Sequence, residues 1–152
     1  MEHNVIIRSC TTEDMQAIYD LVIELAIFEK EPDAVKSMPE EYIQNFNNGL
    51  IKAFVADHDG EVVGMALYYD IFSTWFGKSL YLEDFVVKSS HRNMGIGQKL
   101  WDAFIAEAKT QGCRQVKWQV LDWNTDAINF YYKNNATIEK GWWNGKVYFI
   151  EK

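Results

Sequence analysis

At 152 residues the chain suits one domain around one core, and 48% hydrophobic against 24% charged residues is an ordinary globular balance. The net charge of −7 speaks against a nucleic-acid partner, which needs a basic patch, and no apolar run approaches the roughly 20 residues that span a bilayer. The opening MEHNVIIRSC lacks the basic and apolar regions of a signal peptide, and Cys10 and Cys113 show no metal-like spacing. Reduced thiols and a cytoplasmic location, with no membrane or nucleic-acid partner, are therefore expected.

A first strand is expected over Val5–Arg8. Thr11 and Asp14 resemble a capping box, and Met15, Ile18, Val22 and Leu25 then recur at helical spacing, ending before Pro32. A second helix is expected from Pro39, through Tyr42, Ile43 and Phe46, to the stop at Asn47, Asn48 and Gly49. Ala53 to Ala56 and Val62 to Tyr69, around Asp59-Gly60, read as a hairpin. A third strand, Leu80 to Val87, follows a loop containing Trp75 and Gly77. Ile96, Leu100, Phe104 and Ala108 mark a helix that stops at Gly112, Val116 to Leu121 a short strand, and Asp126 to Asn134 another helix. Two closing strands, around Ile138 and Val147 to Ile150, are expected on either side of Asn144-Gly145. The pattern implies an α/β fold in which the three strands joined by short turns are antiparallel. The passage from Leu80 to Leu121 should be a right-handed parallel crossover. With no repeat, linker or low-complexity stretch, residues 1–152 read as a single domain.

The most specific segment is His91-Arg92-Asn93-Met94-Gly95-Ile96-Gly97, between a strand and a helix. Glycines there let the backbone approach a ligand and direct successive N–H groups at it, and the helix N-terminus favours phosphate. Arg92 can add a charged donor. The Rossmann and Walker spacings are absent.

The string Arg92-x-x-Gly95-x-Gly97 resembles the acetyl-CoA motif of the GNAT superfamily, Arg/Gln-x-x-Gly-x-Gly/Ala. Asn124, then Ala127-Ile128-Asn129-Phe130-Tyr131, is similar to a second family element, in the right order. Tyr81-Leu82-Glu83-Asp84-Phe85, Trp75-Phe76-Gly77-Lys78 and Trp123-Asn124 resemble the spermidine/spermine (diamine) acetyltransferase branch, as does Glu24-Leu25-Ala26 with Phe28-Glu29. Two positions depart from the pattern. Asn135 stands where the family has Gly, and Asn tolerates a left-handed backbone. Ser73 stands where the polyamine enzyme carries an acidic residue.

The resemblance implies a mixed, mostly antiparallel sheet with a parallel βαβ crossover and helices on both faces. It also implies a homodimer. The implied reaction moves an acetyl group from acetyl-CoA, the co-substrate, directly to a small cationic amine: a diamine, a polyamine or a thialysine-like amino acid. A protein amine as acceptor, or an acetyl-CoA-binding module without catalysis, is the alternative. An alkylamine near pKa ~10.4 must lose a proton before it attacks. Glu83 is the implied base, through a water, and Tyr131 the implied acid for the departing sulfur. Asp84 points to the opposite face unless the strand is bulged. Phe85, Val86 and Val87 would meet the cofactor arm, with the Phe85 and Val87 N–H groups polarising the thioester. Arg92, Asn93, Met94, Gly95, Ile96 and Gly97 would hold its pyrophosphate, and Asn124 its arm. Glu29, Asp84 and the ring of Trp75 are the candidates for the cationic substrate, beside Glu83. His3, His58 and His91 form no metal pattern and read as exposed or capping residues.

Overall fold

The computed structural model describes residues 4–151, so His3 lies outside the described residues. They fall into two compact units, Met1–Trp118 and Gln119–Lys152.

The first unit opens with β1 (Val5–Ser9) and a 3₁₀ turn at Thr12–Asp14. The expected capping pair is present: the Thr11 N–H donates to the Asp14 carboxylate at 2.7 Å. Arg8 ties this corner to the sheet, 2.7 Å from Asp14 and 3.1 Å from Asp57. Helices α1 (Met15–Phe28) and α2 (Pro39–Asn47) follow, then β2 (Lys52–His58), β3 (Glu61–Ser73) and β4 (Gly77–Val87). A second 3₁₀ turn, Ser89–His91, leads to α3 (Ile96–Thr110) and β5 (Gln115–Trp118).

The five strands lie in sequence order, β1-β2-β3-β4-β5. Every pair is antiparallel except β4 and β5, which the α3 crossover makes parallel. The expected mixed sheet is therefore present. Strand alternation sorts the helices onto its two faces. Met15, Ile18 and Leu21 of α1 are buried with Val55, Met65 and Leu67. Leu100 and Phe104 of α3 meet the alternate residues of β3. The Phe104 ring lies 5.3 Å from that of Tyr68, and a Cβ on Gly64 would fall 3.2 Å from Leu100 Cδ1 and 3.1 Å from the Val86 carbonyl oxygen. A side chain at Gly64 would fit only if Leu100, Val87 or the Val86 carbonyl gave by a few tenths of an ångström.

The second unit holds α4 (Thr125–Lys133), capped by the Asn124 side chain, which accepts the Ala127 N–H at 3.3 Å. Asn135, in the glycine position, has φ +66°, the left-handed conformation the family pattern requires. The expected closing strands at Ile138 and Val147 to Ile150 do not form among the described residues. Asn144-Gly145 is a local turn signal, whereas a strand also needs a ladder and a buried face, and an isolated two-stranded hairpin is marginal. Here Trp143 is 97% and Phe149 95% exposed, so that segment has no buried face of its own. Strand β5 also stops at Trp118, three residues before the expected end at Leu121. Among the described residues no helix is long and apolar enough to cross a membrane.

Candidate active site

The register of β3 against β4 shifts at the middle of the hairpin. Leu67 faces Asp84 and Tyr68 faces Leu82, so Glu83 is an extra residue, a β-bulge. A regular strand would send Glu83 and Asp84 to opposite faces. The bulge instead brings both to the wall of one cavity of about 640 Å³, with Glu29 from the end of α1. The lining also includes Tyr42 from α2, and Glu31 and Lys36 from the α1–α2 connection.

Burial sets the electrostatics of this cavity. Asp84 is pushed up to about 7, chiefly by burial and then by the charges of Glu83 and Glu29. Glu29 is raised by burial as well. Glu83 is more exposed and accepts a hydrogen bond from the Tyr69 hydroxyl at 2.8 Å. Burial, and then that bond, raises the Tyr69 phenol. The Tyr42 phenol is also raised, by burial first, with Asp84 among the contributing charges. The cavity can therefore hold a cation, and it contains a carboxyl group that exchanges its proton near neutral pH.

The β4–β5 ladder ends at Leu82 and Trp118, and beyond it Asp84 to Val87 of β4 pair with β3. The Lys88 N–H donates to the Val63 carbonyl at 2.8 Å. By alternation the Val86 N–H points to β3, while the Phe85 and Val87 N–H groups point away from β3. A second cavity, of about 280 Å³, is lined by Phe28, Val86, Val87 and Arg92. The Arg92 guanidinium sits 5.5 Å from the centroid of the Phe28 ring.

The glycine-rich turn has the backbone that its sequence requires. Asn93 has φ +64° and Gly95 φ +76°, the latter at the N-cap of α3 with no side chain capping the helix. Ile96 is buried, anchoring the turn, whereas Met94 is 47% exposed. A Cβ on Gly97 would meet Phe85 Cζ at 3.9 Å, which sets the first turn of α3 against β4. The uncapped N–H groups at this helix start, beside Arg92, are a site for an anionic oxygen.

Glu29, Glu83 and Asp84 are thus brought to one cavity, and Val86, Val87 and Arg92 to another. Trp75 lies apart from both, 79% exposed at the tip of the β3–β4 hairpin. Ser73 shapes that tip, its hydroxyl accepting the N–H groups of Trp75 at 3.2 Å and Phe76 at 3.1 Å. In the second unit Tyr131 is buried, with its ring 5.7 Å from that of Phe130. The Asn124 side-chain oxygen caps α4, as described above.

Several features had no signal in the sequence. Tyr69, Glu31 and Lys36 line the carboxylate cavity without belonging to a motif. His58 and His91 were expected to be exposed or capping, yet His58 Nδ1 lies 2.8 Å from His91 Nε2. That contact ties the end of β2 to the turn before Arg92 across 33 positions of sequence.

Comparison with known proteins agrees with this geometry. The signature of the acetyltransferase (GNAT) family matches residues 15–135. The chain is 32% identical to a thialysine N-epsilon-acetyltransferase of Caenorhabditis elegans, over 91% of this chain and 89% of that one. It is 30% identical to the human spermidine/spermine N(1)-acetyltransferase-like protein 1, over 90% of this chain and 21% of that protein. Among solved structures, an aminoglycoside acetyltransferase from an uncultured soil metagenomic sample superposes with a TM-score of 0.78 at 20% identity, covering 97% of each chain, a likeness of fold. With the family signature over both the carboxylate bulge and the glycine turn, the chain belongs to the acetyltransferase (GNAT) family, in its diamine acetyltransferase branch, and is an N-acetyltransferase.

Proposed function

We propose that the enzyme transfers the acetyl group of acetyl-CoA directly to the terminal amine of a small cationic substrate, a diamine, a polyamine or a thialysine-like amino acid. The observation that carries this reading is the cavity at the β4 bulge, where Glu29, Glu83 and Asp84 converge. Carboxylates attract the ammonium form, and one of them must then take its proton. Glu83 is the base, through a water, and Asp84 and Glu29 hold the cation. The amine nitrogen then bonds to the acetyl carbon, the carbon–sulfur bond breaks, Tyr131 gives its proton to the sulfur, and the second proton lost by the nitrogen restores the phenol. The products are an amide, the free thiol and one proton released to solvent.

Acetyl-CoA supplies the activated acetyl group. The residues present suit it: the uncapped start of α3, the left-handed Asn93 and Gly95, and Arg92 for its pyrophosphate. Phe85 and Val87, whose N–H groups point away from β3, would meet its arm and thioester carbonyl. Replacing Arg92 by Ala should raise the KM for acetyl-CoA with less effect on the KM for the amine. Equal effects on both would contradict the assignment.

A second reading is favoured by the ionisation of the cavity. Asp84, with its pKa near 7, is better matched to proton transfer at neutral pH than an ordinary carboxylate. In that reading Asp84 takes the proton and Glu83, held by Tyr69, steadies the cation.

The preference among amines is read from the sequence at Ser73, which brings no charge where the polyamine enzyme carries an acidic residue. In the structure its hydroxyl holds the hairpin turn and does not line the cavity. A shorter cation is preferred, a diamine or a thialysine-like amino acid. Thiol release from acetyl-CoA across a panel of free amines and one lysine peptide tests the reading. Turnover of short diamines or diamino acids above spermine is the expected result. The highest kcat/KM with spermine would refute the preference, and turnover of the peptide alone would refute the small-amine reading.

A further inference from the structure

The charges around the amine cavity are unevenly distributed. Its walls hold five carboxylates, those of Glu29, Glu31, Glu41, Glu83 and Asp84, and a single cation, Lys36. Asp84 and Glu83 belong to the sheet, at the bulge, whereas Glu31 and Lys36 are exposed residues of the α1–α2 connection. That connection has an ordered backbone. The Glu31 N–H donates to the Ala26 carbonyl at 2.9 Å and the Ala34 N–H to the Glu31 carbonyl at 3.1 Å. Ser37, next to Lys36, lies 3.4 Å from the Tyr42 hydroxyl, oxygen to oxygen. Among the described residues Lys36 makes no ion pair, although it shares the cavity with five carboxylates.

An ammonium in that position has a definite effect on which amines fit. A diamine with one nitrogen at the bulge brings a second positive charge into the cavity that Lys36 also lines, and Lys36 repels it. A diamino acid carries a carboxylate as well as an ammonium, and the α1–α2 connection offers one group of each sign, Lys36 and Glu31, while Glu41 already accepts the Met38 N–H at 2.7 Å. A zwitterionic head is therefore matched and a bare cation is not.

We propose that Lys36 determines specificity by pairing with the α-carboxylate of an amino-acid substrate, whose side-chain amine is acetylated at the Glu83–Asp84 end of the cavity. The substrate class is then a diamino acid in preference to a diamine or polyamine. This rests on the reading of the cavity as the amine site.

The test compares S-(2-aminoethyl)-L-cysteine with its carboxamide, two amines that differ only in the carboxylate. The expected result is a higher kcat/KM for the acid, and a fall of roughly two- to fivefold in the acid-to-amide ratio for Lys36→Gln, the scale of one solvent-accessible ion pair. The change should appear in KM. Lys36→Arg should keep the ratio near that of the unaltered enzyme, and Lys36→Glu should lower it further while improving putrescine. Retention of the coenzyme A-induced rise in melting temperature shows that each variant is folded. An unchanged ratio in Lys36→Gln, with turnover intact, overturns the role of Lys36 and leaves the amine site standing. No turnover of either compound by the unaltered enzyme overturns the small-amine reading beneath it, and this inference with it.

Discussion

Replacing Tyr131 by Phe is expected to lower kcat by roughly 10²–10⁴-fold, the usual worth of a positioned general acid. The substitution removes one hydroxyl and keeps the ring, so the packing of this buried side chain against Phe130 is retained. Cofactor affinity should change little for the same reason. The loss should fall on kcat, because the sulfur needs a proton only as the carbon–sulfur bond breaks. Steady-state kinetics at saturating amine measure it directly. A near-normal kcat would reduce Tyr131 to a packing residue.

The largest effects after that concern the two carboxylates at the bulge, where loss of the base costs kcat on the same order, roughly 10²–10⁴-fold. If Glu83 is the base, Glu83→Gln should lose most at low pH. It should partly recover as pH rises toward the amine pKa of ~10.4 and more substrate arrives neutral. Asp84→Asn should then act mainly on the KM for the amine, as should Glu29→Gln. If Asp84 is the base, kcat/KM of the unaltered enzyme rises through pH about 7, and Asp84→Asn abolishes that inflection along with most of the rate. A flat Glu83→Gln profile would remove Glu83 from the role. Stability adds an independent check. Between the ordinary Asp value of 3.8 and the raised value of about 7, the folded state binds more protons at Asp84 than the unfolded chain. Stability must therefore fall as pH rises through that window, and the deficit is complete above it. Asp84→Asn should raise the melting temperature at pH 8 and leave it nearly unchanged at pH 4. Equal shifts at the two pH values would contradict the raised ionisation.

Much of this architecture was legible because local chemistry and tertiary structure agree. The Thr11–Asp14 pair, Pro39 and Gly112 mark helix ends that the fold respects, and the periodicity of Met15, Ile18 and Leu25 matches the face that α1 buries. The bulge was legible only as a condition. Whether Glu83 and Asp84 share a wall depends on the register with β3, which no residue in the Tyr81–Phe85 string determines. Lys36 and Glu31 were invisible because the α1–α2 connection has no periodicity, and a cavity wall assembled from a loop leaves no spacing to read. His58 and His91 meet only because β2 and the turn after β4 become neighbours. The Asn144-Gly145 signal failed in the other direction, since a good turn does not supply a partner for the strands it would join.

Gly64 has a consequence for the energetics of ligand association. With no Cβ there, Leu100 of α3 lies close against β3, and the first turn of α3 runs near Phe85 and Val87, which a Cβ at Gly97 would meet at 3.9 and 4.0 Å. The N–H groups that face an incoming anion are therefore fixed by the same close packing that makes the core. The loss of backbone freedom in that cradle accompanies folding, so little of it remains to oppose association with a phosphate. On the proposed reading, phosphate recognition at this turn is expected to be docking onto a surface shaped beforehand, with the sheet acting as its template.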